Sequence, residues 1–334
     1  MTLLGVPHQD FLRISLLSFC LALILCFVSN NLNRRFQNRS DTVAQQFAIL
    51  EGRSYQVEGM EADWPPFRSR VLFPASLAFV SRWTIVPPAA WFVILRLASA
   101  FLALLLFSLL LMRVGGATWK LAAAGCAWLA LGIIPTFNHS WEHPTDFPDI
   151  IFYCAALWLA LRERKLALLL ATAVGSLNHQ TAAFAGVIWI CLYGLDLRWR
   201  PQPWQLAFGC LLIATSKLTT LLVELAIRGE AGWDYVVNGY LTIGQFFDFL
   251  RHPYASGWPV LLFAMLMPTV LWLWVNRRAV TPADTRILIA VVLITGISSV
   301  IAFMAELRSV FLAPHVMAVF VAAAVEGRIL SKRG

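Results

Sequence analysis

The chain has 334 residues, of which 59% are hydrophobic and 13% charged, and its mean hydropathy is +0.71. Soluble domains carry about 25% charged residues, so an ordinary soluble fold is excluded. The formal net charge of +8 lies mainly in short loops between apolar runs and is accompanied by no aromatic–basic platform, so it speaks to membrane orientation and not to nucleic acid.

Continuous apolar runs, not alternating ones, select helices over a barrel. The first run, 11–28, has the look of a signal sequence, but no small-residue cleavage site precedes the Asn-rich segment 29–33, and it reads as a retained anchor. Further spans are predicted at 89–112, 117–134, 147–161, 204–227, 258–275, 286–305 and 309–327. Between 161 and 204 two basic loops flank an apolar stretch of only thirty residues, 166–195. If both loops share a side, that stretch crosses twice as a short-armed hairpin turning at Asn178-His179-Gln180-Thr181, with arms shorter than the usual ~20 residues. A polar tip at that depth is tolerable where it lines a cavity. The expected fold class is therefore all-α: a single polytopic membrane domain over 1–334 with about ten transmembrane helices, the hairpin included.

Thirteen basic residues fall in the loops assigned to the inside after residue 89, against three (Arg228, Arg251, Arg308) in those assigned outside. This bias predicts cytoplasmic N and C termini. The segment 30–88 then forms an outer loop with interfacial helices. Val71–Val86 is an alternative short span, but Pro74, Arg82 and Pro87-Pro88 favour a helix at the interface. The six cysteines all lie in apolar runs without a CxxC pair and read as packed small hydrophobes.

Candidate chemistry concentrates near one face. Asp41 opens a stretch with helical spacing, Val43, Ala44, Phe47 and Leu50 sharing a face, and its plain role is an N-cap. The segment Pro135–Asp149 holds His139, His143, Glu142, Asp146 and Asp149 and no basic residue. Its His-Ser-Trp-Glu-His spelling matches an inverted zinc-hydrolase motif, but Pro135 and Pro144 bracket it and no third ligand stands out. A divalent-ion or phosphate site with His139 and His143 fits better, the plain alternative being an interfacial loop anchored by Trp141. Ionisable residues within spans are functional candidates by default: Arg96, early in the span from 89, and Lys217, mid-span with Glu224 one heptad on. Arg96 can instead snorkel, and Lys217 can be a structural pair. Arg70, His179 and Arg308 complete the set at the outer face.

This layout resembles the GT-C superfamily of membrane glycosyltransferases over about residues 10–230. The residues that carry the likeness are the early acid in Arg39-Ser40-Asp41-Thr42, the proline-rich stretch Pro65–Pro74, Arg96 in Leu95–Ala100, the acidic segment His139–Asp149 and the Asn178–Thr181 turn. The resemblance implies a bacterial inner-membrane enzyme that transfers a sugar from a polyprenyl-phosphate donor to an acceptor at the outer face. It implies Asp41 as general base, Glu142 and Asp146 as second acidic residues and a divalent metal as possible cofactor. Arg70, Arg96, His179, Lys217 and Arg308 are the expected substrate-binding residues. Thr42 stands where the family's first loop often has a second acid, Gln180 where relatives often have one, and no soluble C-terminal domain is expected. The rival expectations are a transporter or flippase of a lipid-linked substrate and a non-catalytic membrane subunit.

Overall fold

The computed structural model describes residues 2–3, 6–33, 39–52, 56–57, 60–61, 70–134, 146–196, 200–228, 258–301 and 307–332. The chain folds into α-helices: α1 (His8–Asn33), α2 (Arg39–Leu50), α3 (Leu72–Arg82), α4 (Pro88–Arg113), α5 (Trp119–Ile133), α6 (Asp146–Leu161), α7 (Lys165–Ser176), α8 (Phe184–Tyr193), α9 (Pro203–Arg228), α10 (Trp258–Val275), α11 (Pro282–Ile301) and α12 (Leu307–Ser331). Two two-residue ladders, Thr2–Leu3 with Val6–Pro7 and Gln56–Val57 with Met60–Glu61, are the strands among the described residues.

Helices His8–Ser29, Pro88–Arg113, Pro203–Ile227 and Leu312–Ser331 are each long and apolar enough to cross a bilayer. The chain is thus a membrane protein by length and composition, with four such helices and several shorter apolar ones among the described residues. Burial separates their roles. In the span of α12, 72% of residues are buried, against 22% in those of α1 and α9. Accordingly α12 lies at the centre, packed by α4, α5, α6, α10 and α11, while α1 and α9 lie at the rim. The core is built from Leu104, Phe107 and Leu110 of α4, Cys126 and Leu129 of α5, Ile150, Cys154 and Leu157 of α6, and Val316 and Phe320 of α12.

Local chemistry sets the ends. α4 begins with Pro88 at its first position, where a missing N–H costs nothing. α11 starts four residues before the predicted 286 because Thr281 and Asp284 form a reciprocal cap: Asp284 Oδ2 accepts from Thr281 N–H and O–H at 2.7 Å each, and Thr281 Oγ1 accepts from Asp284 N–H at 3.3 Å. Asp284 also pairs with Arg328 of α12, and Arg286 donates to the Leu192 and Leu195 carbonyls at the end of α8. Helix α2 opens at Arg39, so Asp41 occupies its first turn and not its cap. An acid there is still favoured by the helix dipole.

The stretch 165–193 is two short helices with a break between them. Leu177 ends α7, His179 is extended (φ −157°, ψ 140°) and caps a 3-10 turn over Gln180–Ala183, and α8 follows directly. At 1.5 Å per residue the arms are about 18 Å and 15 Å long. Both pack on α9, and α8 does so closely: a Cβ on Gly186 would lie 2.5 Å from the Gly209 carbonyl oxygen. Small residues of this kind let membrane helices approach.

Candidate functional site

The first turns of α6 carry Asp146, Asp149 and, one turn further, Tyr153. Positions i, i+3 and i+7 share one helix face, and that face meets the tip of the α7–α8 break. Asp149 Oδ1 accepts from Asn178 Nδ2 at 2.7 Å. Tyr153 donates its hydroxyl proton to Thr181 Oγ1 at 2.6 Å. Thr181 in turn meets His179 Nδ1, through its hydroxyl at 2.8 Å and its N–H at 3.1 Å. On the other edge of the imidazole, Nε2 lies 2.6 Å from an Arg70 guanidinium nitrogen. Backbone pairing holds the two segments in register, since Leu72 N–H donates to the Leu177 carbonyl at 2.9 Å.

These hydrogen-bond roles constrain one another. A neutral imidazole has one lone pair. When Nε2 accepts from Arg70, Nδ1 carries the proton, and Thr181 Oγ1 accepts from both His179 and Tyr153. When Nδ1 instead caps the Thr181 N–H, Nε2 carries the proton and the guanidinium must turn to another acceptor. Arg70 and the Thr181 cap therefore compete for His179.

Arg96 approaches α6 from α4. It donates to Ser29 Oγ at the far end of α1, 2.5 Å away, and its guanidinium lies 5.8 Å from the Phe147 ring centre, beside Asp146. Arg70, Arg96, Asp146, Asp149, Asn178 and His179 are all at least 95% buried. Two arginines and two aspartates balance in charge, and the fields of Asp149, Arg70 and Asp146 all act on Tyr153. Buried charges of this kind persist where they are mutually compensated. Beside the cluster, a slot of about 340 Å³ opens between α3, α4, α6 and α7, walled by Leu72, Phe73, Leu95, Phe152 and Val174 with Asn178 among its lining.

Of the residues expected from the sequence, Arg70 and His179 are in direct contact, and Asp146 and Arg96 flank the same end of α6. Asp41 belongs to α2, which packs through Val43 and Phe47 on Phe73, Leu77 and Phe92 of α3 and α4; its side chain lies outside the described residues, as do those of Glu142, His139, His143 and Arg308. Lys217 is not in the cluster: it is exposed on the rim of α9, next to Ser216, which points inward to Ser176 at 2.9 Å. Among the described residues no group of three or more His, Cys, Asp or Glu is arranged to hold a metal ion, so the expected metal ligands His139 and His143 rest on the segment outside them. Asp149 and Thr181 were visible only as members of the acidic segment and the polar turn, without individual roles, and Tyr153 and Ser29 were not expected. Tyr153 had a signal, its heptad relation to Asp146; Ser29 had none.

No family model matches the chain, no curated protein is found similar to it, and no solved structure matches its fold.

Proposed function

We propose that the chain is a membrane glycosyltransferase that moves a sugar from a polyprenyl-phosphate donor to an acceptor hydroxyl at the outer face, with both termini cytoplasmic and the membrane that of the bacterial cytoplasm. The observation that carries the reading is the buried set Arg70, Arg96, Asp146, Asp149 and His179 gathered beside an apolar slot. A lipid-linked sugar phosphate needs both surroundings at once. Its first prenyl units want apolar walls, and its phosphate wants guanidinium donors, which match phosphate geometry.

In the proposed reaction the acceptor hydroxyl gives its proton to Asp41 and attacks the anomeric carbon. The new glycosidic C–O bond forms as the bond from that carbon to the phosphate oxygen breaks, and polyprenyl phosphate leaves as an anion. Arg70, Arg96 and Arg308 stabilise that developing charge. Glu142, Asp146 and Asp149 position the acceptor, and His139 and His143 with Asp146 are the residues for a divalent ion. That ion, when bound, supplies further charge neutralisation. Removing the hydroxyl proton needs a placed base because its own pKa is high.

A second reading is a transporter of a lipid-linked substrate, favoured by one feature, the helix pair broken at Leu177–His179 within the bundle. One experiment separates the two. The purified chain in vesicles receives a polyprenyl phosphate carrying a labelled sugar on one leaflet, with candidate acceptors. Label appearing in acceptor product supports the transferase; label crossing to the other leaflet still attached to the prenyl phosphate supports the transporter.

A further inference from the structure

Lys217 is a charge that the proposed site does not use, and its surroundings are unlike those of the other intramembrane ions. α9 is among the least buried of the long apolar helices. A stripe at intervals of three or four residues runs through Ala207, Cys210, Ala214, Lys217 and Leu221, the first four exposed and Leu221 half-buried, with Leu211 and Leu218 exposed beside it. Lys217 interrupts this stripe near its middle, about 21 Å along the axis from Pro203 and about 15 Å from Ile227. Its depth is marked independently by Ser216, which bonds to Ser176 at 2.9 Å and reaches the Gln180 carbonyl at 3.4 Å. Lys217 is therefore level with the break between the short helices, not with a helix end.

A four-carbon stem does not carry an ammonium from that level to either interface. The lipid phosphate of the proposed site is met by Arg70 and Arg96, and Lys217 stands outside that cluster, exposed on α9. Among the described residues no ion pair reaches Lys217. An exposed ammonium in hydrocarbon is unfavourable, and intramembrane cations are found paired or lining a cavity. A second copy using the same face fails on charge. Copies inserted in one orientation pair their α9 helices in parallel, setting Lys217 against Lys217, while Glu224 lies about 10 Å away along the axis.

We infer that the exposed face of α9 docks a transmembrane helix of another membrane protein that carries an Asp or Glu at the level of Lys217. The apolar residues on either side give the contact area, and the ammonium–carboxylate pair sets register and partner choice, as buried polar pairs do in other helix pairings. The inference stands whether or not the chain transfers sugar.

The stripe carries its own reporter, because Cys210 is exposed on it, and Cys20 on α1 is an exposed control. The full chain is placed in phosphatidylcholine vesicles with a synthetic transmembrane peptide of Leu and Ala bearing one central Asp and a cysteine seven residues to either side of it. After mild oxidation, peptide adducts at Cys210 and Cys20 are quantified by mass spectrometry. The expected result is about tenfold more adduct at Cys210 than at Cys20, falling to the Cys20 level when the peptide's Asp is replaced by Leu or when the protein carries Lys217→Leu. That variant removes a charge from an exposed apolar face and leaves the core untouched, so folding is retained. Equal adducts at the two cysteines, or no loss in Lys217→Leu, overturns the inference. A Cys210–Cys210 disulfide between two copies as the main product overturns it in favour of self-association.

Discussion

Arg70 and His179 stand 109 positions apart in the chain and meet side chain to side chain at 2.6 Å, buried at the break between α7 and α8. The contact ties the segment leading into α3 to the tip of the short helix pair, and so closes one side of the polar cluster. It is expected to be energetically coupled. A double-mutant cycle with Arg70→Gln and His179→Phe, read by denaturant unfolding in detergent, should return a coupling of about 1 kcal/mol or more. Additive effects of the two substitutions would mean that the contact is incidental.

The core makes a separate prediction at Gly132. A Cβ at that position would sit 2.0 Å from His315 Nε2, deep between α5 and α12. Overpacking of a well-filled core costs about 1–3 kcal/mol, so Gly132→Ala should lower stability by about that amount. His315→Ala should relieve most of it in the double variant, since the obstacle is then gone. Thermal unfolding of the three variants checks both statements; a Gly132→Ala protein as stable as the parent would show that the helices part readily.

At the other end of the bundle, Asp284 caps α11 and pairs with Arg328 of α12. The carboxylate is nearly buried, while the arginine is about a third exposed, side chain 34% accessible. Solvent screening on the arginine side reduces the value of the ion pair, so most of the effect of Asp284→Ala should come from the lost cap, about 1–2 kcal/mol. Asp284→Asn keeps an acceptor for Thr281 and should lose less than half as much. Equal losses in the two variants would place the effect in the ion pair instead.

The pattern of basic residues predicts that residues 30–69 face outward. A cysteine at Ser54, with the native cysteines removed, should react with a membrane-impermeant thiol reagent in intact cells. Labelling seen only after lysis would reverse the orientation and move the proposed reaction to the cytoplasmic face.

Much of the bundle was legible because lipid imposes a length on apolar runs. The runs at 89–112, 147–161 and 204–227 became α4, α6 and α9 to within a residue or two. The break at Asn178–Thr181 was legible too, since two basic loops cannot share a side across thirty apolar residues without a turn. Side-chain direction was not. Lys217 and Ser216 are neighbours in sequence, yet one faces out and the other meets Ser176, and only the packing of α9 against the short helices decides between them. Partners drawn from distant segments, such as Ser29 for Arg96, likewise depend on the crossing of α1 with α4. The two acids of α6 were visible as a segment, but their alignment with Tyr153 needed the helix to start at Asp146.

The claim that lipid-linked sugar reacts here is tested most directly at Asp41, in the first turn of α2. Asp41→Asn keeps the size of the side chain and most of its hydrogen bonding but does not take up the acceptor's proton. Removal of a general base typically slows a reaction about a hundred-fold to ten-thousand-fold. The measurement is the rate of labelled-sugar transfer from a polyprenyl-phosphate donor by the purified chain in vesicles, wild type against Asp41→Asn, with unfolding midpoints matched. The account predicts transfer by the wild type and a loss of that size in the variant; transfer by Asp41→Asn at the wild-type rate, or no transfer by the wild type from any polyprenyl donor, would contradict it.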